Sequence, residues 1–177
     1  MERLWAPWRA GYILGQGQDA QRGGAGGGGG GCIFCAGLAR GPEHHREDLI
    51  LCVAAEAFVI MNRYPYTSGH VMVAPRAHAP TPAELPPAAH DGLYRLVTAS
   101  TTALQAALGP DGLNMGMNLG RVAGAGVPDH CHVHLVPRWS GDTSFMPVIA
   151  ETRVISQDLQ ATYETLRPHF EPLASVR

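Results

Sequence analysis

No apolar run in the 177-residue chain is long enough to span a membrane, which excludes a helical membrane protein. A large excess of one charge is missing too. Thirteen basic against fifteen acidic side chains leave a net charge of -2, which predicts no broad nucleic-acid footprint. Met1-Glu2-Arg3, followed by Trp5 and Trp8, does not make a signal peptide, so the reading is of a soluble, cytoplasmic protein. No internal repeat is present. The glycine-rich stretch 15–31 has no following Lys-Ser/Thr and no following helix, which excludes a phosphate-cradling P-loop. Cysteine is scarce, at four residues, and its spacing argues against a disulfide framework. Cys32 and Cys35 form a Cys-x-x-Cys pair, whereas Cys52 and Cys131 sit in apolar, strand-like runs as small core residues.

What remains is ordinary globular material, 45% apolar, and the length fits one domain with a real core. Residues 1–31 read as an N-terminal arm, apolar over 1–14, joined by a flexible glycine-rich loop to a domain over 32–177 that ends in a C-terminal tail. After the Cys-x-x-Cys pair the pattern turns to strand at 49–53, 58–61 and 70–74. Thr81, Pro82 and Glu84 carry the signals of a helix start, and Pro86-Pro87 restart it. Leu93, Leu96, Val97, Leu104, Ala107 and Leu108 then recur at helical spacing until Gly109-Pro110 stops the run. Residues 112–120 alternate, with Leu113, Met115 and Met117 on one face. Residues 156–166 predict a closing helix with Leu159, Tyr163 and Leu166 inward, ended by Pro168. The order predicts an α+β domain on a mostly antiparallel sheet, with one long helix and a short C-terminal helix.

The most telling segment begins His130-Cys131-His132-Val133-His134-Leu135-Val136-Pro137-Arg138-Trp139. In a strand, side chains two apart share a face at roughly 6–7 Å, so the three histidines line one side while Cys131, Val133 and Leu135 point to the core. The plain alternative is a histidine-rich exposed strand. A row of imidazoles otherwise serves metal binding, proton transfer or nucleophilic attack. Cys32 and Cys35 supply two ligands of a zinc site, and His78 and His130 are the candidates for the other two. Two readings compete with that one: a reduced, metal-free thiol pair, and a ligand set completed by His44 and His45, which look like a solvated loop. His132 suits a nucleophile on phosphorus, provided an acceptor holds its other ring nitrogen. His134, Asn118 and the backbone of Gly124, Ala125 and Gly126 are candidate donors to phosphate oxygens. By itself Asn118 is an ordinary turn residue.

With these residues in place, the chain resembles the histidine-triad (HIT) superfamily, whose signature is His-φ-His-φ-His-φ-φ with φ apolar. Further matches are CIFC at 32–35, Gly69-His70-Val71-Met72-Val73-Ala74-Pro75 with His78, and residues 114–120. The resemblance implies a HIT-like fold, His132 as nucleophile on the α-phosphorus of a nucleotide, and Cys32, Cys35, His78 and His130 as ligands of a structural zinc, with no organic cofactor. It implies Asn62 at the ribose, with Phe34 and Ile60 flanking the base. Members of the hydrolase type commonly carry Gln four residues before the first triad histidine, where this chain has Gly126. The glycines at 120–126, Pro137-Arg138-Trp139, Gly141-Asp142 with Phe145-Met146, and the opening MERLWAPWR are similar to bacterial diadenosine tetraphosphate phosphorylases. That branch implies inorganic phosphate as acceptor and release of ADP and ATP. Water as acceptor gives the alternatives, a dinucleoside polyphosphate hydrolase or a nucleoside phosphoramidase. A transferase for an unusual nucleotide and a non-catalytic nucleotide-binding module complete the set. The resemblance also implies a homodimer joined edge to edge, to which Trp5 and Trp8 of the arm could reach or could instead pack at home.

Overall fold

Ala57–Met61 and Val71–Pro75 are buried along their whole length, as central strands covered on both faces must be. In this computed structural model the described residues are 31–142 and 158–176, so the expectations for the arm at 1–14, most of the glycine loop, and Phe145-Met146 lie outside them. Cys32–Asp142 and the C-terminal segment belong to one unit.

The elements are α1 (Ile33–Ala39), α2 (His45–Asp48), β1 (Ile50–Val53), β2 (Ala57–Met61), β3 (Val71–Pro75), α3 (Pro87–Leu108), β4 (Gly112–Met117), β5 (Val133–Arg138) and α4 (Leu159–Phe170). The five strands form one antiparallel sheet in the order β1-β2-β3-β5-β4, so the α+β expectation holds. The predicted strands at 49–53, 58–61, 70–74 and 112–120 correspond to β1 to β4, with β4 ending at Met117.

Cross-strand register assigns the two faces. Ile60, Met72, His134 and Gly116 stand opposite one another across β2, β3, β5 and β4, and therefore share a face. Phe58 lies on this face too, and the Phe34 ring of α1 meets it edge-on at 6.1 Å. The other face carries Val59, Val73, Val133 and Leu135, all buried, with α3 across β2, β3 and β5 and against α4. The helix stops as predicted, with Gly109 in the left-handed conformation at its C-cap.

Four local expectations need correction. Of the triad histidines only His134 lies in a strand; His130 and His132 precede β5, where the Cys131 N–H is held by Ala79 O at 2.7 Å instead of by a sheet ladder. A helix does follow the glycine-rich stretch, contrary to expectation: α1 begins at Ile33, with Phe34 and Gly37 inward, so the missing Lys-Ser/Thr alone argues against a P-loop. Thr81 does not cap a backbone N–H; its hydroxyl donates to Glu84 at 2.9 Å over a short 3-10 turn, Pro82–Glu84, before α3 begins. Pro168 does not end the last helix. It sits two residues before the end of α4, which runs on to Phe170, so the lost N–H bond and the ring's crowding of the carbonyl four residues back fall in the last turn.

Candidate functional site

Cys32 is the N-cap of α1 and Cys35 lies in its first turn, so one turn of helix presents both thiols. The Cys32 sulfur lies 3.2 Å from His130 Nδ1, and the Cys35 sulfur lies 3.4 Å from His78 Nδ1 and 3.7 Å from His130 Nδ1. The four donor atoms all fall within 4.8 Å of one another. Bonds of about 2.0–2.3 Å to a tetrahedral zinc imply donor separations of roughly 3.3–3.8 Å, so the cluster has the size and chemistry of a metal site. The second nitrogen of His130 completes the fit. Its Nε2–H donates to Pro75 O at 2.8 Å, which leaves the Nδ1 lone pair aimed at the cluster. Burial lowers the pKa of His130 and keeps the ring neutral, as a ligand requires. His44 and His45 stand apart from this group: His44 Nδ1 is bonded to exposed Arg40 at 3.0 Å, and His45 belongs to α2.

His132 is almost fully buried. Its Nδ1–H donates to the backbone O of His130 at 2.9 Å, which fixes the tautomer and leaves a lone pair on Nε2. Burial lowers its pKa, so the ring is a neutral imidazole near pH 7. Phe34 backs both rings, with centroids 5.1 Å from His130 and 4.9 Å from His132.

His134 is oriented by a different partner. The Tyr66 backbone N–H donates to His70 Nδ1 at 3.1 Å, so the proton of neutral His70 sits on Nε2. That nitrogen lies 3.0 Å from His134 Nδ1 and donates to it. His134 therefore keeps its own proton on Nε2, as a hydrogen-bond donor beside His132, whose ring centroid is 4.8 Å away. Burial, and secondarily His132, push the His134 pKa down to about 4. The pair offers one nitrogen lone pair and one N–H at adjacent positions, which is what attack on a phosphate ester needs.

His70 is the residue that sequence reading passed over. It is fully buried, and Tyr66 stacks on it at 4.7 Å. Gly69 delivers it in a left-handed turn (φ 78°), where a Cβ would lie 2.3 Å from Leu108 Cδ1. The Gly69-His70 motif gave the signal, but the pairing with His134, 64 residues on, is tertiary.

The other expected site residues are placed as follows. Ile60 is buried in the cross-strand row that contains His134. Phe34 is fully buried beneath the histidines. Asn62 follows β2 and its Oδ1 accepts the Tyr64 N–H at 2.9 Å, so its amide NH2 is the group that can donate. Asn118 is half-buried, and its amide Nδ2 donates to Gly124 O at 3.5 Å. Gly124 ends a 3-10 turn in the left-handed conformation, Ala125 is buried, and Gly126 is exposed with nothing within 4 Å of where a Cβ would stand.

Known proteins match this architecture. The AP-4-A phosphorylase of Mycobacterium tuberculosis is 28% identical over 166 residues, which cover 94% of this chain and 83% of that one. A histidine triad nucleotide-binding protein of Sulfolobus tokodaii has a similar structure, with a TM-score of 0.64 at 26% identity over 80% of this chain and 93% of the other. So does a zinc-bound histidine triad family protein of Mycobacterium smegmatis, with a TM-score of 0.61 at 26% identity over 78% and 91%. The HIT domain model matches residues 45–141, which hold the three triad histidines, His70 and His78. The chain belongs to the HIT domain family.

Proposed function

We propose that the protein is a nucleotidyltransferase that cleaves diadenosine tetraphosphate by phosphorolysis, through a nucleotidyl-histidine intermediate on His132. The observation that carries this reading is the tautomer of His132, whose Nδ1–H is held by the His130 carbonyl so that Nε2 is nucleophilic. The Nε2 lone pair attacks the α-phosphorus, the bond from that phosphorus to the bridging oxygen breaks, and ATP leaves. The His130 carbonyl then stabilises the imidazolium. A phosphate oxygen attacks the same phosphorus, the P–N bond breaks, and ADP departs with His132 neutral again. The His134 Nε2–H donates to the phosphate oxygens as charge builds on them, and the leaving polyphosphate needs little acid help. Asn62 NH2 serves the ribose hydroxyls, Ile60 and Phe34 border the base, and Asn118 with the backbone of Gly124, Ala125 and Gly126 takes the polyphosphate.

Two considerations favour phosphate over water as acceptor: the similarity to a named phosphorylase, and the open space at Gly126. In the same reading Cys32, Cys35, His78 and His130 hold one zinc, which supplies a structural cross-link from α1 to the turn after β3 and to the first histidine of the triad. The zinc-bound relative supports that assignment. A homodimer through β4 is also part of the proposal, because Met115 on this edge strand is 63% exposed. Product analysis with and without phosphate tests the reaction. Phosphorolysis predicts ADP and ATP in equal amounts, at a rate set by phosphate concentration. AMP and ATP at the same rate whether or not phosphate is present would overturn it in favour of hydrolysis.

A further inference from the structure

We propose that the Cys32, Cys35, His78 and His130 cluster is the positioning device for His132, acting through a single peptide group. The inference rests on His132 being the nucleophile, and it gives the metal-ligand set a task beyond holding the fold.

The peptide between His130 and Cys131 is bonded at both ends. Its N–H, on Cys131, donates to Ala79 O at 2.7 Å, and its C=O, on His130, accepts His132 Nδ1–H at 2.9 Å. Each anchor of this peptide is attached to the cluster. Ala79 follows the ligand His78 directly, and the carbonyl belongs to the ligand His130 itself. The His130 ring is clamped at both nitrogens, by the cluster at Nδ1 and by Pro75 O at Nε2. A second route runs through α1. Phe34 lies between the two cysteine ligands, and its ring backs His130 and His132 together. Phe34, Ala79, His130, Cys131 and His132 are all buried, so little slack exists between cluster and nucleophile. An amide that donates at its N–H is also polarised into a better acceptor at its C=O.

The consequence concerns a proton position. When the cluster is held, His132 carries its proton on Nδ1 and offers Nε2 to phosphorus. When the cluster loosens, the peptide and α1 are free to shift, the Nδ1–H loses its acceptor, and the other tautomer, with its proton on Nε2 and no lone pair there, becomes populated. His130, His78 and Ala79 are in this sense positioning residues.

The test uses the full chain with histidine-specific nitrogen-15 labelling, zinc-loaded and after chelation, without nucleotide. Long-range proton–nitrogen spectra of the imidazoles report each tautomer, and His132→Gln identifies the signal. The loaded protein is expected to show His132 wholly as Nδ1–H. The stripped protein, with its sheet amides still dispersed, is expected to show a mixture, together with a fall in kcat of about 10–100-fold, the usual range for losing such a supporting contact. KM should stay within about threefold. An unchanged tautomer and kcat in a stripped, folded protein overturns the proposal. Should chelation melt the sheet, His78→Ala replaces it, with the same tautomer shift expected and His78→Cys restoring the loaded state. Melting in His78→Ala as well contradicts the proposal, because the cluster would then hold the domain together rather than aim His132. A tautomer shift in a protein inactive on every dinucleotide would keep the positioning and sink the enzymatic reading.

Discussion

His132 and His134 are the same residue type two positions apart, and what separates their proposed roles is the atom that each Nδ1 faces. His132 Nδ1 meets a carbonyl, which can only accept, so Nε2 keeps its lone pair. His134 Nδ1 meets His70 Nε2, whose proton is set by the Tyr66 N–H on the far nitrogen, so His134 Nε2 keeps a proton. His132→Ala should lower kcat about 10³-fold or more while nucleotide binding stays measurable by calorimetry. His70→Phe keeps an aromatic ring but removes the donor, and should lower kcat by about tenfold with little change in KM, read from steady-state kinetics. The burial of His134 also has a signature in stability. Its folded pKa of about 4 lies below the ordinary 6.5, so between those values the unfolded chain binds the extra proton. Stability should therefore rise with pH across that window, and fall as acid is added from pH 6.5 toward 4. Denaturant titrations of His134→Asn should show a flatter acid limb over the same range. The triad's alternation was readable as a row, and so was the likeness of His130 to a metal ligand. The partner of His134 was not, since nothing local ties His70 to a residue 64 positions away.

At the level of elements, the site is assembled where α1, the strand β3 with its following turn, and the extended entry to β5 converge. The strands were legible because their burial follows from sequence: β2 and β3 are apolar throughout, and in β5 Val133 and Leu135 alternate inward. Helix α1 was not legible. It is seven residues long, and one of its two inward residues is a glycine, so it carries almost no helical stripe. Its register matters all the same, because Phe34 is placed between the two cysteines and under two histidines. Phe34→Ala should cost about 3–5 kcal/mol in urea denaturation, the range for truncating a buried aromatic, and should lower kcat as well. Helix α4 is tied to β1 by the Tyr163 hydroxyl on Ile50 O at 3.1 Å. Tyr163→Phe leaves that buried carbonyl unpaired and should cost about 1 kcal/mol in the same assay, with kcat unchanged.

For the molecule as a whole, the sheet divides the labour between its faces. One is closed by α3, with Val59, Val73, Val133 and Leu135 beneath it; the other carries Ile60, Met72, His134 and Gly116 toward the site. Because β4 is an edge strand with Met115 exposed, the proposed dimer should form there, and Met115→Asp should shift the sedimentation coefficient from dimer to monomer. In the proposed reaction His132 carries the nucleotide between donor and acceptor. Rapid quenching of the zinc-loaded protein with α-phosphorus-labelled diadenosine tetraphosphate, in phosphate-free buffer, tests it most directly. Acid-labile label is expected on the peptide that contains His132, and it should be chased into ADP when phosphate is added. Absence of protein-bound label during turnover, or label that persists in His132→Ala, would contradict it.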